Sequence, residues 1–249
     1  MQVRTPDEIV LAPMWEHRVD DTGVCTHVRM HDHGTLGEPA VIFNRIVQLE
    51  GFPLQRSVTE DRDYAHAEMA ALLLSWLAGV QCPVINRPSP VGLAGSVNRP
   101  LVWQKLAQKA GLRTTHAFVT TSTRRFPAPL RLKCVPQPGP QAVHASQFVR
   151  LNQFGWFADS TDTSSDSVFV VGGRVIGNVS PSILAGALRL ATMSGLDVLE
   201  LHFSKNTDAS DSPSFVGADA CPVSTDPMIV AAIADLLKAK AGNQSTLTN

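Results

Sequence analysis

No run of apolar residues in this chain approaches the roughly 20 needed to cross a bilayer. The N-terminus also lacks a basic region followed by an apolar core, so neither a membrane span nor a secretory signal is expected. Positive charge is not in excess. Twenty-one Lys and Arg against 22 Asp and Glu leave a formal net charge of -1, with no long basic run, which argues against nucleic acid or an anionic membrane as partner. Cysteine is scarce: Cys25, Cys82, Cys134 and Cys221 lie far apart with no CxxC pair, which points to a reducing, cytoplasmic protein. Walker-type and dinucleotide-type glycine patterns are missing, since Gly92, Gly95 and Gly111 fit neither spacing. A nucleophile elbow and an internal repeat are missing as well.

What is present is an ordinary folding composition, 44% hydrophobic and 17% charged over 249 residues, enough for one large or two small cores. The chain turns from one half to the other between Cys82 and Thr121. Pro83 to Asn86 reads as a short strand cut off by Pro88 and Pro90. Asn98 then caps a helix with Pro100 in its first turn, Val102, Leu106 and Ala110 as its stripe and Gly111 at its end, and Thr115 to Thr121 alternates as a strand.

Upstream, Ile9 to Ala12, Val24 to Met30 and Ala40 to Phe43 read as strands, the first two separated by a polar turn at Asp20 to Gly23. Asp61 is placed to cap a helix with Ala65, Met69, Leu72, Leu73, Trp76 and Leu77 on one face. Downstream, Leu130 to Val135 and Ser146 to Leu151 read as strands. Val168 to Val171 and Arg174 to Val179 form a hairpin across Gly172-Gly173. Ser180 and Pro181 open a helix that Gly195 closes, with Leu184, Ala187, Leu188 and Ala191 inward. Val198 to Phe203 and Phe215 to Cys221 read as paired strands. Thr225 caps a last helix with Ile229, Ala232, Ile233, Leu236 and Leu237 inward, before a tail from Gly242.

The junction "INRP", loop, helix, "AGLRTTHAFVT", followed by "VFVVGGRVIGNV", a helix, "SGLDVLELHF", "FVGADACP" and a final helix, resembles the ATP-grasp superfamily. Within it the chain is most similar to the peptide-modifying carboxylate-amine ligases, over roughly residues 38 to 240. The resemblance implies an α/β protein: a pre-ATP-grasp-like layered domain over residues 1–97, a shortened ATP-grasp-like α+β domain over 98–241 and a flexible tail over 242–249.

It also implies ATP and magnesium as cofactors and a set of groups to hold them. Lys133 stands where the family keeps a lysine that reaches the nucleotide phosphates; as a strand-end lysine it can equally keep its head in water. Arg99, followed by Pro100, replaces the family's lysine ahead of the "AGL" helix, so Lys133 and Arg99 are the candidate catalytic cations. Ser167 stands where the family places an arginine, His202 where it places a magnesium-binding Asp, and Gly217 and Asp219 at its Glu-x-Asn pair. Such exchanges remove hard oxygen ligands from a magnesium site. The regions the ligases use as a lid over ATP are short here. The expected role is therefore a binding or accessory subunit of a peptide or natural-product modification system, gripping a peptide, a small molecule or a partner enzyme. The alternatives are a divergent ATP-dependent carboxylate-amine ligase and a metal-dependent enzyme.

That last alternative rests on spacing. Glu200 and His202 lie two apart on one strand, and Asp219 and Cys221 two apart on its partner, so carboxylates, imidazole and thiol could gather around a transition metal such as zinc or iron. Solvent-facing polar residues would produce the same spacing. His31-Asp32-His33 sits in a turn, and His66 and Glu68 on a helix rim. Arg45, Asp61, Arg62 and Arg87 surround strand ends, as surface pairs or as an anion- or peptide-binding lip.

Overall fold

The computed structural model describes residues 2–21, 23–31, 39–47, 49, 58–90, 92–95, 100–114, 117–120, 132–133, 155–159, 165–204 and 213–242. Contacts divide the chain into two compact units, one of Met1–Val97 with the chain from Ala234, the other of Asn98–Ile233.

The first unit opens with a helix, α1 (Pro6–Val10), where the sequence predicts a strand at Ile9 to Ala12. The reason is a capping box: the Thr5 hydroxyl accepts from the Glu8 amide at 3.2 Å, and the Thr5 amide donates to the Glu8 carboxylate at 2.8 Å. Strands β1 (Met14–Asp20) and β2 (Gly23–Arg29) form an antiparallel hairpin, turned between Asp20 and Gly23 as the sequence predicts. β1 is absent from the sequence reading because MWEHRVD has few apolar residues to alternate. Trp15 and His17 face inward. Trp15 donates to the Ile9 carbonyl and meets Trp76 edge to face at 5.7 Å; His17 lies 2.8 Å from both the Thr26 and Ser75 hydroxyls.

Ser75 and Trp76 belong to α2 (Thr59–Gly79), which starts before Asp61, the cap expected from sequence. Its predicted stripe is buried most fully at Leu73, Trp76 and Leu77. Two short strands, β3 (Ile42–Phe43) before α2 and β4 (Val84–Ile85) after it, pair in parallel. Each ends in Asn-Arg. The buried Asn44 donates to the Asn86 and Leu93 carbonyls and accepts from the Ile46 amide, which fixes the strand ends. Arg87 donates to the Ala78 and Cys82 carbonyls at 2.8 and 3.1 Å, closing the carboxyl end of α2.

In the second unit, α3 (Pro100–Lys109) buries Trp103, Gln104 and Ala107, and Ala110 just past its end is buried as well. The stripe is rotated from the predicted one, and Val102 is exposed. Strands β5 (Ala117–Thr120), β6 (Leu132–Lys133) and β7 (Gly155–Asp159) form an antiparallel sheet in the order β5-β7-β6. The strand expected at Ser146 to Leu151 lies outside the described residues. Strands β8 (Ser165–Val171) and β9 (Arg174–Ile176) are the predicted hairpin, with Gly172 and Gly173 at φ 55° and 86° as a two-residue loop of this hand requires.

Helix α4 (Pro181–Ser194) ends at Gly195 in the left-handed region, φ 69°. It buries Ile183, Ala187, Leu190 and Ala191, whereas Leu184 and Leu188 stand at the margin. Gly186 admits α4 to Leu112: a Cβ there would lie 2.8 Å from Leu112 Cγ. β10 (Val198–Ser204) runs between β8 and β11 (Ser214–Asp219) in an antiparallel sheet ordered β11-β10-β8-β9. α5 (Pro227–Gly242) follows, capped not by Thr225 but by Asp226, whose carboxylate accepts from the Met228 amide at 2.8 Å. Leu199, Leu201 and Phe203 of β10, Val168 and Val170 of β8, and Phe215 and Ala218 of β11 form a core with Trp103, Ala107, Ile183, Ala187 and Leu190.

Candidate functional site

With one face of the β11-β10-β8-β9 sheet committed to that core, strand alternation sends Glu200, His202 and Ser204 to the other. Glu200 faces Phe169 on β8 and Asp219 on β11. His202 faces Ser167 and Gly217, and Ser204 faces Ser165 and Ser214. Three cross-strand rows thus place largely buried polar side chains, with Phe169 among them, on the sheet face opposite the apolar core. The register on β11 depends on a bulge. Phe215 pairs with Phe203 and Gly217 with His202, so Val216 is the extra residue. Gln104, buried on α3, donates to the Val216 carbonyl at 3.1 Å and the Phe215 carbonyl at 3.4 Å, and the Phe215 amide donates to the Arg113 carbonyl at 2.7 Å.

Around His202 the distances decide what the group can do. Nδ1 lies 3.4 Å from the Ser167 hydroxyl and 3.8 Å from Glu200 Oε1. Both partners address the same ring nitrogen, whereas a serine-histidine-acid relay needs them on opposite ones. Nε2 is buried and has no hydrogen-bond partner among the described residues. Asp219 Oδ1 accepts from the Cys221 amide at 2.8 Å, and Cys221 lies past the end of β11, buried. Among the described residues no group of three or more His, Cys, Asp or Glu side chains could hold a metal ion, so Glu200, His202, Asp219 and Cys221 do not converge on one point.

The other candidates lie elsewhere. Lys133 is in β6 opposite Ala158, its side chain outside the description, and Arg99 lies outside the described residues. Asp32 and His33 also fall outside, and His31 makes a 3.0 Å contact with the Leu11 carbonyl. His66 and Glu68 lie on α2, outside its buried stripe. Arg87 is engaged in closing α2, and Arg45 lies over the Phe43 ring at 5.9 Å. Among the described residues no helix is long and apolar enough to cross a membrane.

The fold has solved counterparts. The macrocyclase MdnC from Microcystis aeruginosa MRC, bound with precursor peptide MdnA, aligns at TM-score 0.71 with 13% identity, over 94% of this chain and 89% of that one. The chain has the ATP-grasp fold. The ATP-grasp ligase PsnB, complexed with minimal precursor, Mg and ADP, aligns at TM-score 0.66 with 17% identity over 92% and 85%. A Chryseobacterium gregarium RiPP-associated ATP-grasp ligase, in complex with ADP and a leader and core peptide, aligns at 0.64 with 15% identity over 95% and 88%. No family model matches the chain, and no curated protein does.

Ser167, His202 and Gly217, the positions at which the sequence resemblance implies an arginine and two magnesium-binding carboxylates, form a single row. The donor set in that row does not fit magnesium, which takes oxygen ligands in octahedral array. It offers one hydroxyl, one imidazole and no side chain at Gly217. The signal that sequence reasoning missed is the pairing of β8 with β10. Only that pairing puts Ser167 beside His202.

Proposed function

We propose that this chain is an ATP-grasp-fold protein of a peptide-modification system that acts as a binding or accessory component, without phosphoryl chemistry of its own. The observation that carries the reading is the row Ser167–His202–Gly217, which joins three adjacent strands and contains neither a strong cation nor a carboxylate. Phosphoryl transfer requires positive groups and a metal around the moving phosphate, and the rows on either side add no lysine or arginine among the described residues. In this reading residues 1–97 are the pre-ATP-grasp-like part and 98–241 the shortened ATP-grasp-like part. That three neighbours were solved with precursor or leader peptides supports a peptide as ligand.

Calorimetry with MgATP tests the proposal. Weak or absent binding is expected. A micromolar dissociation constant that Lys133→Ala abolishes would overturn it and favour a divergent carboxylate-amine ligase, in which Lys133 holds the phosphates and Glu200, His202 and Asp219 take over the cation. Stoichiometric zinc or iron in the purified protein, lost with His202→Ala, would instead establish the metal-dependent reading.

A further inference from the structure

We propose that β1 is a docking edge for a second copy of this chain, the two β1 strands pairing antiparallel about a two-fold axis at His17. β1 and β2 form a sheet of two strands, so among the described residues no strand lies on the outer edge of β1. A two-residue connection hydrogen-bonds the closing pair Asp20–Gly23. Alternation along the register then leaves Trp15, His17 and Val19 with their amides and carbonyls turned away from β2. No backbone partner for these three residues occurs among the described residues. A row of unpaired backbone groups of this kind is a template for another strand.

The residues of β1, MWEHRVD, select that strand. One face of the hairpin packs on α2, where His17 meets Ser75. A two-fold pairing that keeps inward residues beside inward residues must therefore be centred on a residue, not between two. Centred on His17, the whole strand is used. Glu16 then falls opposite Arg18 of the second copy and Arg18 opposite its Glu16, at non-hydrogen-bonded positions where side chains stand closest. Trp15 falls opposite Val19, which is 61% exposed in the single chain, so each copy covers an apolar residue of the other. Centred on Glu16 the strands would set Glu16 against Glu16; centred on Arg18 they would set Arg18 against Arg18 and Glu16 against Asp20. Centres farther out engage three residues or fewer of each strand. Arg18 is held in its own chain by Asp20 at 3.4 Å on an exposed surface, which leaves it able to reach a second carboxylate. An edge defended against its own copies carries charge of one sign, proline or a bulge, whereas Glu16-His17-Arg18 is self-complementary. The interface is isologous and closes at two copies.

Sedimentation of the full chain from about 1 to about 100 μM tests the pairing, a range set by seven residues a side against the roughly 20–30 of a standard interface. A monomer–dimer equilibrium within it is expected. Glu16→Arg should weaken association about tenfold or more, because two attractive cross-strand pairs become repulsive. Glu16→Arg combined with Arg18→Glu should restore it. Val19→Pro removes an amide that points away from β2, so the circular dichroism should be kept while the dimer is lost. A chain monomeric at the upper concentration, a dimer that survives Val19→Pro, or single and double charge variants that associate equally overturns the proposal. A monomeric chain that binds an alternating Thr-Val octapeptide and releases it on Val19→Pro overturns it in favour of a foreign strand.

Discussion

At the scale of single residues, two glycines make opposite demands. Gly217 has ordinary strand geometry and open space over its Cα, so a side chain there should be accepted. The double variant Gly217→Glu, His202→Asp restores two carboxylates at the positions implied by the resemblance, next to Glu200 and Asp219. We expect it to stay folded and to gain magnesium affinity over the parent, read by calorimetry. A parent that already binds magnesium as tightly would refute the idea that these two positions are what the site lacks. Gly186 is the reverse case. Alanine would improve helix propensity by about 1 kcal/mol, but its Cβ would press on Leu112 Cγ at 2.8 Å. Overpacking of that kind typically costs about 1–3 kcal/mol. Gly186→Ala should therefore lower stability in urea denaturation, and a rise in midpoint would show that Leu112 gives way freely.

At the scale of elements, the register of β11 depends on a side chain distant in sequence. Gln104 satisfies two carbonyls at the bulge, and a non-polar replacement such as Gln104→Met leaves them buried without that donor. A loss of about 1–3 kcal/mol is expected. Faster amide exchange along β11 should accompany it, since the bulge decides whether Gly217 and Asp219 face His202 and Glu200. Unchanged exchange in Gln104→Met would mean that the Arg113 carbonyl holds the register alone. The same element shows what sequence can carry. Helices α2, α4 and α5 and the Gly172-Gly173 hairpin were legible from apolar periodicity and from the glycines at Gly172, Gly173 and Gly195, although the expected caps of α2 and α5 were misplaced. The inward faces of α3 and α4 came out rotated, because Val102 and Leu184 fit the 3.6-residue period as well as Trp103 and Ile183 do, and only the facing strands choose between them. At α1, the short apolar pair Ile9-Val10 suits a strand or a helix, and the Thr5–Glu8 box settles it. The strands that carry the candidate site, β8, β10 and β11, were legible in the sequence. Their assembly into rows was not, because strand order is set by long-range pairing that no local pattern records.

For the whole molecule, ligand binding and stability are linked, which gives the nucleotide question a quantitative form. A ligand that binds only the folded state stabilises it by RT ln(1 + [L]/Kd), about 4 kcal/mol when present at about 1,000 times Kd. For a chain of this size each kcal/mol moves the melting midpoint by roughly 2–4 °C. Millimolar MgATP acting on a micromolar site would therefore raise the midpoint by on the order of 10 °C. The row Ser167–His202–Gly217 offers neither the cations nor the carboxylates to support such a site, so we expect the melting curve with MgATP to overlay the curve without it. The Gly217→Glu, His202→Asp variant supplies the contrast, since any MgATP-dependent shift it acquires would trace to those two positions. A shift near 10 °C in the unaltered chain, removed by Lys133→Ala, would mean that phosphate binding is carried by the part of the fold around β6. The row Ser167–His202–Gly217 would then not decide what the protein does.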